Sequence, residues 1–104
     1  MILVLGSVVA KEDRVAEALA LSQAHVVRSR AEPGCLAHAV HRDAEKPSRL
    51  VFVERWDSQE ALWQHFKVPA SRAFAKARAG FAAEEPSMDV YEATSIQIPG
   101  KSAG

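Results

Sequence analysis

Apolar residues in this chain recur with two different periods, and the order in which the periods alternate narrows the folds open to it. Ile2 to Val9 is a run of β-branched and leucine residues that reads as a strand buried on both faces. From Glu12 the period lengthens: Val15, Leu19, Ser22 and Val26, with Ala18 beside them, follow helical i, i+4, i+7 spacing to about Arg30. Glu32-Pro33-Gly34 ends that helix, because the residue before a proline avoids the α region and glycine accepts the turn. Leu36 to Asp43 alternates, with Leu36, His38 and Val40 on one face and Ala37, Ala39 and His41 on the other. After a turn at Lys46-Pro47-Ser48, Arg49 to Asp57 forms a third strand in which Leu50, Phe52, Glu54 and Trp56 share a face. Asp57-Ser58-Gln59-Glu60 has the form of a capping box, and the helix it starts presents Ala61, Leu62, His65 and Phe66 on one side. Pro69 opens a further helical segment carrying Ala70, Phe74 and Ala77, and Met88 to Ile98 alternates as a closing strand. The order β-α-β-β-α-α-β predicts an α+β fold, a ferredoxin-like split β-α-β unit with an antiparallel sheet.

Such a sheet carries helices on one face only, and this chain supplies no second helical layer for the other. Two copies packing their bare faces together would close the gap, so a homodimer is expected. With 104 residues the chain is one domain that buries only about two thirds of its unfolded surface, which a second interface would supplement. Residues 1–98 form that domain, and Pro99 to Gly104 reads as a frayed tail.

Several function classes are disfavoured at once. Thirteen basic residues balance thirteen acidic ones, leaving no global field to recruit nucleic acid or an anionic membrane. The apolar start, Met1 to Ala10, has no basic flank and is too short to span a bilayer, so it reads as a strand rather than a targeting segment. The single cysteine, Cys35, forms no internal disulfide, which fits a reducing cytoplasm; it is either reactive beside its helix exit or a small buried hydrophobe. No dinucleotide fingerprint, phosphate-binding loop or nucleophile elbow occurs.

Three segments in order carry a family resemblance: Glu32-Pro33-Gly34-Cys35-Leu36, Val51-Phe52-Val53-Glu54-Arg55-Trp56-Asp57 and Ala61-Leu62-Trp63-Gln64-His65-Phe66. Their most specific part is a Glu-x-Trp strand end placed nine residues before a helical histidine. Over roughly residues 2 to 98 the chain resembles the antibiotic biosynthesis monooxygenase family of quinol-monooxygenase-like proteins. The resemblance implies a two-fold dimeric α+β barrel with the last strand reaching toward the partner, a role that Val90, Ile96 and Ile98 suit. It also implies a cofactor-independent monooxygenase that oxidises a small aromatic quinol or polyphenol with O2. The alternative is a non-catalytic barrel of the same architecture binding a small hydrophobic ligand, or an isomerase or decarboxylase, since fold alone does not select the chemistry.

Within that frame His65 is the expected base, because a near-neutral pKa suits removal of a phenolic proton; otherwise it is a hydrogen-bonded core histidine. Glu54, between Phe52 and Trp56 on one strand face, is either the partner that orients His65 or half of a structural ion pair with Arg28, Arg55 or Arg72. Trp56, Phe52 and Phe66 are expected around the substrate, with His38 and Arg72 completing the set, although a tryptophan in this place is more often core filler than a substrate platform. No metal is expected: His38 and His41, three apart on a strand, face opposite ways and cannot share an ion. No cofactor of any other kind is expected either. Two departures from the family stand out. Where many members carry Ser-Pro-His after the helical histidine, this chain has Val68-Pro69-Ala70, which removes a second imidazole. The Asn, Trp and His of the haem-degrading branch fall at Gly6 or Ser7, at His65 and near Ala75, which argues against haem degradation.

Overall fold

In the computed structural model, which describes residues 1–100, the chain runs β1 (Ile2–Val9), a 3-10 turn (Glu12–Arg14), α1 (Val15–Ser29), β2 (Cys35–Arg42), β3 (Arg49–Trp56), α2 (Gln59–Lys67), α3 (Pro69–Phe81) and β4 (Ser87–Glu92). The four strands form one sheet in the order β2-β3-β1-β4, every neighbouring pair antiparallel. Each β-α-β crossover therefore skips over one strand, which is the split β-α-β arrangement expected from the periodicity.

Alternation places one residue set under the helices. In β1 Ile2, Val4, Gly6 and Val8 are buried, and in β3 Leu50, Phe52, Glu54 and Trp56 are. The opposite face is barer than a strand buried on both sides: Leu3 and Val9 are half-buried and Leu5 is exposed. The core falls into two apolar groups. Val8, Ala18, Val26, Leu50, Phe52, Phe74 and Phe81 cluster toward one end, and Ile2, Val4, Trp56 and Leu62 toward the other. Between Phe52 and Trp56 the strand carries Glu54, so a polar seam crosses the core at that level.

Local chemistry sets the boundaries. Gly34 has φ of 82° and its carbonyl accepts from Asp57 N at 2.9 Å, which seats the α1–β2 turn against the start of α2. Ser58, not Asp57, caps α2: its side chain accepts from Ala61 N at 3.1 Å, so the capping box is not formed in the expected register. Val68 ends α2 with an extended backbone and at the same time opens α3, whose first residue is Pro69. A bulge between Cys35 and Ala37 turns Leu36 outward, away from His38, contrary to the simple alternation expected there.

The closing strand is shorter than expected. Its pairing with β1 ends at Glu92 opposite Ile2, and Ala93 N and O are bonded to Met1. Ile96 and Ile98 lie outside any strand and are exposed. Pro99 and Gly100 make a turn, and the remainder of the expected tail, 101–104, lies outside the described residues. No helix among the described residues is long and apolar enough to cross a membrane.

Candidate active site

His65 occupies the buried face of α2 and is 4% exposed. Its Nδ1 lies 2.8 Å from Glu32 Oε1, and Ser71 Oγ is 3.4 Å away on the first turn of α3. An ionised carboxylate only accepts, so the Glu32 contact places the ring proton on Nδ1 and leaves the lone pair on Nε2. The break at Val68-Pro69 brings Ser71 back to the ring, and the Gly34 turn brings Glu32 to it from the other side.

Glu54 has a different partner from the one expected. Its Oε1 accepts from Trp56 Nε1 at 2.9 Å and lies 3.2 Å from His38 Nε2, while Glu32 takes the place beside His65. None of the arginines foreseen for Glu54 pairs with it: Arg28 reaches His25 Nδ1 at 3.1 Å and Ala70 O at 3.3 Å. Burial opposes ionisation of Glu54, but the His38 ring, the Trp56 N–H and the nearby His65 outweigh it, and the carboxyl is held below its ordinary range. The His38–Glu54 contact is short enough for an ion pair and occupies His38 Nε2, while His38 Nδ1 has no hydrogen-bond partner among the described residues.

A third imidazole completes the group. His25, on α1, stacks on Phe74 with centroids 4.2 Å apart and an interplanar angle of 9°. It lies 5.3 Å from the His65 ring and 5.4 Å from His38. Burial, then repulsion by His38, His65 and Arg28, push its pKa down to about 3, against a smaller pull from Glu54. His25 is therefore neutral at physiological pH. His25 on α1 and His38 on β2 thus bring two further imidazoles beside His65.

A cavity of about 370 Å³ opens over this group on the helical side of β1 and β4. His25, Glu54 and His65 reach its wall, Phe52, Phe66 and Phe74 line it with aromatic surface, and Arg72 and Arg78 bring positive charge. Of the residues expected at the substrate, Phe52, Phe66 and Arg72 are at the wall; Trp56 and His38 are behind it, fully packed. Trp56 is thus core and a donor to Glu54 rather than a platform. Arg78 Nε is buried with no partner among the described residues, and burial lowers its pKa while Glu54 partly counters. Cys35 is half-buried, and burial raises its thiol pKa, which makes it a poor nucleophile.

Glu32, His25, Ser71 and Arg78 were not foreseen as site residues. His25 sits one residue before Val26 on the same buried stripe of α1, and that placement was the one available signal. Glu32 reaches the site through a turn, which no periodicity reports.

A search against protein-family models matches residues 1–77 to the antibiotic biosynthesis monooxygenase model. The chain belongs to the antibiotic biosynthesis monooxygenase family. A Synechocystis sp. protein, sll1783, whose function is uncharacterized, is 30% identical over 96 residues, covering 92% of this chain; the chain spans only 65% of that relative's length. Among solved structures, a Deinococcus radiodurans protein provisionally named an antibiotic biosynthesis monooxygenase superposes with a TM-score of 0.89 at 26% identity, covering 96% of this chain and 100% of that one. Rv0793 from Mycobacterium tuberculosis gives a TM-score of 0.85 at 22% identity, covering 91% of this chain and 96% of that one, a likeness of fold. The matched region of the family model ends inside α3, so it includes His25, Glu32, His38, Glu54 and His65 but not Arg78.

Proposed function

We propose that this family member is a cofactor-independent monooxygenase that oxidises a small aromatic quinol or polyphenol with O2, using His65 as its base. The observation that carries the reading is the Glu32–His65 pair, which holds a lone pair on Nε2 at the wall of an aromatic-lined cavity. His65 Nε2 takes the phenolic proton, Glu32 stabilises the imidazolium that results, and Arg72 with Arg78 favour the phenolate. The anion then supplies electrons to O2. Oxygen adds to the activated ring carbon as a hydroperoxide, and loss of water leaves one oxygen atom in the product and the other in water. The protein's part is to position the substrate and keep bulk water from the anion, for which the Phe52, Phe66 and Phe74 surface is suited.

Oxygen uptake tests this directly. Reduced quinols of one to three rings, offered aerobically with and without added flavin or metal, are expected to give turnover with neither addition. No uptake above the autoxidation rate across the panel would overturn the reading.

The working unit under this proposal is a homodimer. The sheet face turned from the helices carries half-buried Leu3, Val9, Val51 and Val53 and exposed Leu5, and an apolar face of that kind is normally closed by a second protein surface.

A further inference from the structure

We propose that His25, His38 and His65 together form a binding site for a late first-row divalent transition ion, with zinc as the reference cation. The three side chains come from α1, β2 and α2, all are buried, and one ring nitrogen of each lies within 4.8 Å of the other two. Three atoms that close share a centre no more than about 2.8 Å from each, and zinc–imidazole bonds are about 2.0–2.1 Å. Closure therefore asks each ring to move by about 0.7 Å or less, which small side-chain rotations provide.

An independent observation points the same way. The His38 side chain is 0% exposed; its Nε2 faces Glu54 Oε1 at 3.2 Å, and its Nδ1 has no hydrogen-bond partner among the described residues. A buried ring nitrogen left unmatched is costly unless something absent from the chain itself satisfies it. Coordination would do so. The donor set selects the class of ion: three neutral imidazoles favour zinc, cobalt, nickel or copper over magnesium or calcium, which prefer oxygen. Glu54, 3.2 Å from His38, supplies a compensating negative charge, and the cavity reaches the cluster at His25 and His65.

One contact opposes the ion. Arg28 can only donate, so its bond to His25 Nδ1 keeps the lone pair there and the proton on Nε2. For Nε2 to coordinate, Arg28 must release the ring and keep its bond to Ala70 O. His65 needs no such change, because Glu32 already leaves Nε2 free. That lone pair is also the one the proposed oxidation requires, so in this respect the inference rests on the proposed function: zinc should inhibit turnover.

Isothermal titration of chelator-treated protein with zinc chloride, and visible absorption on adding cobalt, read binding without reference to turnover. The expected result is one ion per chain, an affinity at least 100-fold weaker in His38→Ala and in the volume-conserving His38→Gln, and a severalfold gain in Arg28→Gln. His41→Ala, at an exposed position on the other sheet face, should match the wild type. Absence of saturable binding, or unchanged affinity in folded His38 variants, overturns the site; if both His38 variants unfold, unchanged affinity in Arg28→Gln does so. A protein that binds zinc but oxidises no quinol defeats only the functional reading, and one that oxidises quinols but ignores zinc defeats only this one.

Discussion

Two carboxylates at the site do different jobs. Glu32 fixes the tautomer of His65, whereas Glu54 holds Trp56 and faces His38. On a confirmed substrate, His65→Ala is expected to lower kcat by about a hundredfold or more, as for a positioned base, and Glu32→Gln by about tenfold. Glu54→Gln should act mainly on stability. Steady-state kinetics paired with urea denaturation separate these effects, and full activity in His65→Ala would remove the base assignment. The pH response follows from His25. Its folded pKa is about 3 against an ordinary value of 6.5, so below pH 6.5 the unfolded chain binds a proton that the fold, with His38, His65 and Arg28 facing the ring, rejects. Stability contributed by the neutral ring is complete above pH 6.5 and is lost as pH falls toward 3. Urea midpoints measured in chelator at pH 7.5 and 5 should differ accordingly, and the difference should shrink in His25→Gln. A flat profile would contradict it. His65 was legible in the sequence because it lies on an apolar helix face nine residues after Trp56. Glu32 was read only as a helix stop, since its role arises from where a turn lands in space.

Helices and strands were legible because their periods are set by which side meets the core. Their ends were less so. The alternation of Met88 to Ile98 suits a strand, but a strand needs a neighbour, and the pairing with β1 ends at Glu92. Leu36 escaped the pattern because a one-residue bulge reverses the facing of everything before it. The turn before β2 carries the strictest requirement. A Cβ on Gly34 would sit 2.5 Å from Ala61 Cβ and 2.6 Å from Asp57 Oδ1, with φ at 82°. Gly34→Ala should therefore destabilise the fold by on the order of 2–4 kcal/mol through left-handed strain and the clash with α2. Because the same turn delivers Glu32, the folded fraction should also show a weakened Glu32–His65 pair. Thermal denaturation within 0.5 kcal/mol of wild type would show that the turn relaxes freely.

At the scale of the whole molecule the sheet has one face under helices and one without cover. Sedimentation at micromolar concentration should give about twice the 11.3 kDa chain mass. Leu5→Lys, an exposed position at the centre of β1 on the bare face, should shift the protein toward monomer without altering helix content. A stable wild-type monomer would end the barrel proposal. The one-sided sheet could be inferred from element order alone, whereas the three-histidine group could not, because it depends on how α1, β2 and α2 meet. That origin makes the group a built-in clock for folding. No two of its rings share an element, so local helix or hairpin formation brings none of them together, and their mutual contact appears only when all three elements have docked. The imidazole proton resonances of His25, His38 and His65 should consequently take their native positions together and no earlier than far-UV ellipticity recovers.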